Sequence, residues 1–99
     1  MNVRVRLPYH LQNLAQAGSE VAVELSGPAT IASVLDALEA AYPMLRGTIR
    51  EHGSKQRRSY LRYFACQEDI SFMPADVPLP EAVAEGREPF IVMGAIAGG

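Results

Sequence analysis

The order of two hydrophobic periodicities along the chain limits its fold more than any other feature. In NVRVRL (2–7) and EVAVEL (20–25), apolar side chains recur at every second position. This alternation predicts two half-buried strands that form a hairpin with a long loop. From Ile31 onward the apolar spacing changes to three and four residues, which predicts a helix. The switch predicts an α+β fold, a sheet with one main helix packed across one face.

The helix that follows the switch has clear limits in the sequence. Thr30 stands where an N-cap residue is preferred, and Pro43 ends the helix because its ring clashes with the preceding turn. The apolar stripe faces the sheet, and Asp36 and Glu39 are expected to face water.

The rest of the chain predicts shorter elements. YHLQNLAQAGS (9–19) is expected to be a connecting segment, and YLRYFACQEDISF (60–72) is expected to form strand, turn and strand, with residues 67–69 at the bend. One helical turn is expected near residues 80–84, followed by a turn at Gly86 and a last strand over 89–93 that pairs near the first.

Composition excludes several classes of protein. The chain has 99 residues, which fits one domain, and its formal net charge of −2 favours neither nucleic acid nor a membrane surface as a partner. The N-terminus lacks the apolar core of a signal peptide, and the single cysteine cannot form an internal disulfide. We therefore expect a cytoplasmic protein.

No group of side chains in the sequence has the spacing of a self-contained active site. His10 and His52 have no cysteine or carboxylate at metal-ligand spacing, so surface histidines are favoured and no metal is expected. Cys66 has no histidine close in sequence, which favours a packed or incidental thiol over a nucleophile. We expect no catalytic residue and no bound cofactor.

One segment of the chain, Arg46 to Arg58, is strongly basic. It has five positively charged residues and one acidic residue, Glu51. The segment lacks the interleaved aromatic residues typical of nucleic-acid binding. We interpret it first as a solvated loop, then as a contact for an acidic protein, and last as a nucleic-acid contact.

The sequence ends with Ala95, Ile96, Ala97, Gly98 and Gly99. Composition alone favours a frayed terminus. A Gly-Gly end is also slim, because without Cβ atoms it can adopt almost any backbone conformation and place its α-carboxylate inside a narrow channel of another protein. Such a carboxylate becomes reactive once adenylation converts its oxygen into a leaving group.

With this tail, the order of elements resembles the β-grasp sulfur carriers of the MoaD/ThiS type. This ubiquitin-like family includes the molybdopterin synthase small subunit and the carriers of the thiamine and cysteine pathways. The similarity extends over MNVRVRLP (1–8), TIASVLDALEAAYPMLRGTI (30–49), YLRYFACQEDISF (60–72) and VPLPEAVAEGREPFIVMGAIAGG (77–99). It implies a β-grasp domain over residues 1–94 and a flexible Gly-Gly tail over residues 95–99. The chain departs from the family at Cys66-Gln67, where Asn-Gly or Asn-Asp is common.

The resemblance implies a carrier or co-substrate without its own active site. An adenylating enzyme of the ubiquitin-activating type would charge Gly99 with ATP, and a sulfur donor would convert it to a thiocarboxylate. The sulfur would then pass to a downstream enzyme, for example in molybdopterin or cysteine biosynthesis. The chain could accordingly be the small subunit of a sulfurtransferase such as molybdopterin synthase. Gly98, which has no Cβ atom, would let the tail pass through a narrow channel of the partner enzyme.

By the same resemblance, Met93, Ala95, Ile96 and Ala97 would contact the partner, with Phe90 and Val92 turned toward the helix. The sequence leaves open which of the two sets faces outward, and Met93 could equally be a core residue. Two other functions stay open at this point. The tail could instead form amide bonds with lysines of target proteins, as in a ubiquitin-like modifier. The domain could also be a plain binding module with an incidental tail.

Overall fold

The computed structural model describes residues 1–94 of the chain. Five strands, three α-helices and one short 3₁₀-helix follow one another in this part of the chain. Their order is β1 (Asn2–Arg6), α1 (Tyr9–Ala15), β2 (Glu20–Glu24), α2 (Ile31–Ala41), the 3₁₀-helix (Pro43–Leu45), β3 (Leu61–Ala65), β4 (Glu68–Asp69), α3 (Glu81–Ala84) and β5 (Phe90–Gly94).

The strands form one mixed sheet in the order β2-β1-β5-β3-β4. Strands β1 and β2 are antiparallel, with Val3 opposite Val23. Strand β5 lies in the centre of the sheet, parallel to β1 and antiparallel to β3. The predicted α+β class is therefore confirmed, and so is the pairing of the last strand with the first.

The main helix α2 covers one face of this sheet, as the periodicity predicts. Val34, Leu35 and Leu38 are fully buried among the inward-facing residues of the strands. Thr30 is the N-cap, since its side chain accepts a hydrogen bond from the backbone N–H of Ser33 at 3.0 Å. Helix α2 ends before Pro43, which opens the 3₁₀-helix.

The prediction of a loop over 9–19 is wrong, because residues Tyr9–Ala15 form helix α1. Leu11 and Ala15 lie four residues apart, and both are buried in the core. This burial stabilises a short helix whose polar composition gives little local signal. The chain leaves the helix at Gln16, which adopts a left-handed conformation with φ of 53°.

The position of the bend after β3 also differs from the prediction. The turn consists of Cys66 and Gln67, whose φ angles are 51° and 67°, and Glu68–Asp69 already form strand β4. Ala65 pairs with Glu68 across this two-residue loop. A positive φ at both loop residues is what a type I′ turn requires, although Asn-Gly is the preferred sequence there.

The helical turn expected near residues 80–84 is present as α3, and the turn after it depends on glycine. Gly86 has a φ of +81°, and a Cβ atom at this position would lie 3.1 Å from the carbonyl oxygen of Asn2. The same turn is held by Arg4, whose Nη1 donates to the carbonyl oxygens of Gly86 and Arg87. These contacts fix the approach to β5, the strand that precedes the tail.

Candidate functional site

Strand β5 is the element that positions the predicted tail. Its central place in the sheet gives it neighbours on both sides, so its direction is set by pairing with β1 and β3. Phe90 and Val92 are buried in the core, so of the two alternating sets on this strand they are the one that faces inward. Met93 points the other way and keeps 45% of its surface exposed.

An apolar patch on the outward face of the sheet surrounds Met93. Phe64 on β3 lies opposite Ile91 on β5, and both are half-buried. Two arginines flank them, since Arg62 is the register partner of Met93 and Arg6 is the partner of Ile91. We call Phe64, Ile91, Met93, Arg6 and Arg62 the outer patch.

An exposed aromatic ring extends the outer patch beyond β3. Phe72 is 77% exposed, and the guanidinium carbons of Arg57 and Arg62 lie 4.9 and 5.3 Å from the centre of its ring. Both distances are within the range of a cation–π contact. Aromatic residues and arginine are enriched at the energetic centres of protein interfaces, so this composition suits protein docking.

A groove of about 730 Å³ adjoins the outer patch at the point where the tail begins. It lies between the connection after β1, which includes Pro8 and Tyr9, and the end of β5. The pairing of β1 with β5 reaches only to Arg6 and Ile91. Beyond Ile91 the last residues of β5 therefore have no β1 partner, and one wall of the groove is an open strand edge.

The remaining predicted site residues, Ala95, Ile96, Ala97, Gly98 and Gly99, lie outside the described residues. Their roles stay predictions. Gly94, the last residue of β5, follows Met93, and both line the groove.

Cys66, His10 and His52, for which the sequence predicts neither catalysis nor metal binding, are not grouped into a site. Cys66 is a free, half-buried thiol in the β3–β4 turn. His10 is exposed beside the groove, and His52 is exposed in the basic segment. Residues 1–94 contain no group of three or more histidine, cysteine, aspartate or glutamate side chains that could hold a metal ion. Within the same range, no helix has the length and hydrophobicity needed to cross a membrane.

The interpretation of the basic segment as a solvated loop is correct for residues 51–56, which are all exposed, but wrong for Arg50, Arg57 and Arg58. Arg50 is only 4% exposed, and its Nε donates to Oε2 of Glu39 at 2.9 Å. Asp36 accepts a second bond from Arg50. Arg57 and Arg58 are half-buried and donate to backbone carbonyls, for example from Arg57 Nη1 to Leu61 O at 2.6 Å. Most of these cations therefore hold the long connection between the 3₁₀-helix and β3 against the domain.

The expectation that Glu39 faces water is likewise wrong, because only 8% of its surface is exposed. Helix spacing contained the signal, since Glu39 lies four residues after the buried Leu35 and next to Leu38. Burial alone would lower the pKa of the Arg50 guanidinium, but hydrogen bonds to Glu39 and Asp36 raise it above its usual value. The hydrogen bond from Arg50 also holds the pKa of the Asp36 carboxyl below its ordinary range.

The sheet order, with one main helix across a five-stranded mixed sheet and the last strand at its centre, defines a ubiquitin-like β-grasp domain. Three solved structures have the same fold. SAMP1 from Haloferax volcanii is 19% identical with a TM-score of 0.75, and the match covers 100% of both chains.

CysO of Mycobacterium tuberculosis, described as an antigen, is 20% identical with a TM-score of 0.72 over 95% of this chain and 99% of that chain. A chain of the Amycolatopsis orientalis BexX/CysO complex is 17% identical with a TM-score of 0.73 over 98% of this chain and 99% of that chain. No family model and no curated protein matches the sequence. The resemblance to the MoaD/ThiS-type carriers is thus confirmed at the level of the fold.

Proposed function

We propose that this protein is a sulfur carrier whose Gly99 carboxylate is adenylated and then converted to a thiocarboxylate. One observation carries the proposal. The central strand β5 ends at Gly94, and the residues that follow it are the slim sequence Ala95-Ile96-Ala97-Gly98-Gly99. A tail attached to the middle of a sheet has a rigid base, so a partner that binds the domain also fixes where the tail starts.

The proposed chemistry takes place in partner enzymes. A carboxylate oxygen of Gly99 attacks the α-phosphorus of ATP and releases pyrophosphate. A sulfur nucleophile at the level of hydrosulfide then attacks the acyl carbon and displaces AMP, which leaves a thiocarboxylate. The chain supplies the carboxylate, and the activating enzyme supplies ATP binding and transition-state stabilisation. The proposal applies whether Gly99 is an original chain end or is exposed by cleavage.

The outer patch supports the proposal because it offers a docking surface next to the tail. Met93 is exposed on the strand that leads into the tail, and Arg6 and Arg62 border it. A partner that covers this patch with apolar and acidic residues would hold the tail close to its own active site. The complex of CysO with BexX is one instance in which a protein of this fold binds another protein.

A second candidate function is that of a protein modifier. It is supported by the likeness to SAMP1, since a further structure with this fold is described as the small archaeal modifier protein 1 of H. volcanii. In this role an amine of a target lysine, rather than sulfur, would displace AMP from the activated Gly99. Lys55 is the only lysine of the chain, so chains of the protein linked through its own lysines could grow only from Lys55.

Intact-protein mass spectrometry tests both candidates. The protein is incubated with ATP, a sulfide source and an adenylating enzyme of the ubiquitin-activating type from the same organism. A sulfur carrier gains the mass difference of one oxygen-to-sulfur exchange, which maps to Gly99 in a terminal peptide. Isopeptide-linked products with target lysines and no thiocarboxylate indicate the modifier. If neither product forms, and deletion of Gly98 and Gly99 leaves the cellular activity intact, both candidates are wrong.

A further inference from the structure

A second cavity, of about 420 Å³, lies on the helix side of the domain, apart from the groove. It opens between the first turns of α2, the basic segment and the inward face of β3. Its size is within the range of small-molecule sites. Three cationic residues, Arg50, Lys55 and Arg57, line it. No aspartate or glutamate does so within the described part of the chain.

Among the three cations that line the cavity, Arg57 is the one without a carboxylate partner within residues 1–94. Arg57 is half-buried, and none of the ion pairs among residues 1–94 includes it. Its Nε and Nη1 donate to the carbonyl oxygens of Ser71, Arg58 and Leu61, which fixes the plane of the guanidinium. Nη2 has no protein acceptor within residues 1–94 and stays free to donate to a ligand.

Arg50 and Lys55 add to the positive potential of the cavity, although both have carboxylate partners. Glu39 and Asp36 bind Arg50, and Asp36 also lies 3.4 Å from Lys55 Nζ. These two carboxylates line a neighbouring cavity instead. The carboxylates thus hold Arg50 and Lys55 from the neighbouring cavity, and within residues 1–94 no acidic side chain lines the cavity itself.

Tyr63 adds a hydroxyl group to the same cavity. Only 3% of Tyr63 is exposed, and its hydroxyl has no hydrogen-bond partner within residues 1–94. Burial raises the pKa of this phenol to about 12, even though the charges of Arg50 and Arg57 act in the opposite direction. At neutral pH the hydroxyl is therefore a donor. Every side-chain nitrogen or oxygen atom that is sealed from solvent within residues 1–94 has a hydrogen-bond partner, so this unpaired hydroxyl is open to solvent and can donate to a ligand in the cavity.

We propose that this cavity binds a phosphate-type oxyanion, held by Arg57, Lys55 and the hydroxyl of Tyr63. The planar guanidinium of Arg57 suits the oxygens of a phosphate group. Arg50 supports the site as a buried charge rather than as a direct donor, because its guanidinium is already bound by Glu39 and Asp36. The anion is either free phosphate or the phosphate group of a small metabolite, for which the apolar wall of Ile31, Leu35 and Met73 leaves room. This proposal does not depend on the function of the tail.

Two-dimensional NMR titrations of the ¹⁵N-labelled full chain test the site. Inorganic phosphate and glycerol 3-phosphate are added separately, with sodium chloride at matched ionic strength as the control. We expect saturable shifts of the amide signals of Tyr63 and Ser71 with phosphate and little change with chloride. Tighter binding of glycerol 3-phosphate than of phosphate identifies a metabolite as the ligand, and equal binding identifies free phosphate.

Four variants decide whether the shifts report a defined site. Arg57→Gln is expected to weaken binding about tenfold, as the loss of a charged donor predicts, and Lys55→Gln and Tyr63→Phe about fivefold. Tyr63→Phe removes only the hydroxyl, so it keeps the test valid if Arg57→Gln does not fold. Arg46→Gln is the matched control, because Arg46 is exposed on the same segment and does not line the cavity. The proposal is wrong if neither anion gives saturable shifts, or if Arg46→Gln weakens binding as much as the other variants do.

Discussion

Arg50 and Glu39 form a buried ion pair across the domain, with Arg50 Nε 2.9 Å from Glu39 Oε2 and a second bond of 3.1 Å from Nη2 to Oε1. Glu39 belongs to α2, and Arg50 belongs to the long connection after the 3₁₀-helix. This bidentate pair joins the connection to the main helix. Breaking it from one side leaves a buried charge without its partner.

We therefore expect Arg50→Met to lower the free energy of unfolding by about 3 kcal/mol, because Glu39 stays buried and unpaired. The double variant Glu39→Leu/Arg50→Met, which removes both charges, is expected to recover most of this loss. Urea unfolding followed by circular dichroism measures both. Arg46→Met at an exposed position is the control and should change stability by less than about 0.5 kcal/mol. A double variant as unstable as Arg50→Met would contradict this account.

The ionisation of the Asp36 carboxyl is expected to make the free energy of unfolding depend on pH. The hydrogen bond from Arg50 lowers the pKa of Asp36 in the folded protein below the value of 3.8 that it has without such a partner. The folded state thus binds a proton less readily than the unfolded state. The stability from Asp36 is complete above pH 3.8 and is lost as the pH falls through the lower, folded-state pKa.

Urea midpoints measured between pH 7 and pH 2 test this dependence on Asp36. Asp36→Asn should give a shallower loss of stability in acid than the natural protein. Asp76→Asn, at an exposed position outside the ion pairs of residues 1–94, serves as the control and should leave the slope unchanged. Identical acid slopes for the natural protein and Asp36→Asn would exclude a contribution from this carboxylate.

Substitution of glycine for Gln67 in the turn between β3 and β4 is expected to stabilise the protein. Gln67 has a φ of 67°, a left-handed conformation that costs a residue with a Cβ atom about 1 kcal/mol. Gln67→Gly should therefore raise the free energy of unfolding by up to about 1 kcal/mol. Gln56→Gly is a matched control, because Gln56 is not among the positive-φ residues and gains nothing from glycine. Equal effects of the two substitutions on the thermal midpoint would show that the turn is not strained.

Met93 is expected to matter for partner binding and not for stability. Met93→Glu places a charge in the outer patch, where it would be buried under a docked enzyme. We expect at least a tenfold slower formation of the thiocarboxylate, the scale of a central interface residue. Met44→Glu is the control, since Met44 is exposed to nearly the same extent, 46% against 45%, and lies on the 3₁₀-helix. Equal rates for the two variants, both folded, would remove Met93 from the docking surface.

The sequence predicts those parts of the fold that local pattern determines. The alternation around Val3 and Val23, the helical stripe from Ile31 and the cap at Thr30 all specify their structure within a few residues. The outward direction of Met93 follows from alternation once Phe90 and Val92 are known to be buried.

What the sequence does not predict depends on contacts between distant segments. Helix α1 is stabilised by the burial of Leu11 and Ala15 in the core, and few of its other residues favour a helix. Arg50 and Glu39 each look like a surface charge until the fold brings them together over eleven positions of sequence. The anion cavity likewise combines the basic segment with Tyr63 of β3, and no single stretch of sequence contains it.

The central position of β5 has a consequence for the synthesis of the protein. Before β5 has been translated, β2-β1 and β3-β4 are two separate pairs with no strand to join them. Phe90 and Val92 are also missing from the core at that stage. The domain can therefore complete its sheet only after β5 has emerged from the ribosome. Nascent chains that stop before β5 cannot complete the sheet and stay accessible to proteases. The molecules that fold are therefore those whose synthesis has passed β5, the strand that precedes the tail.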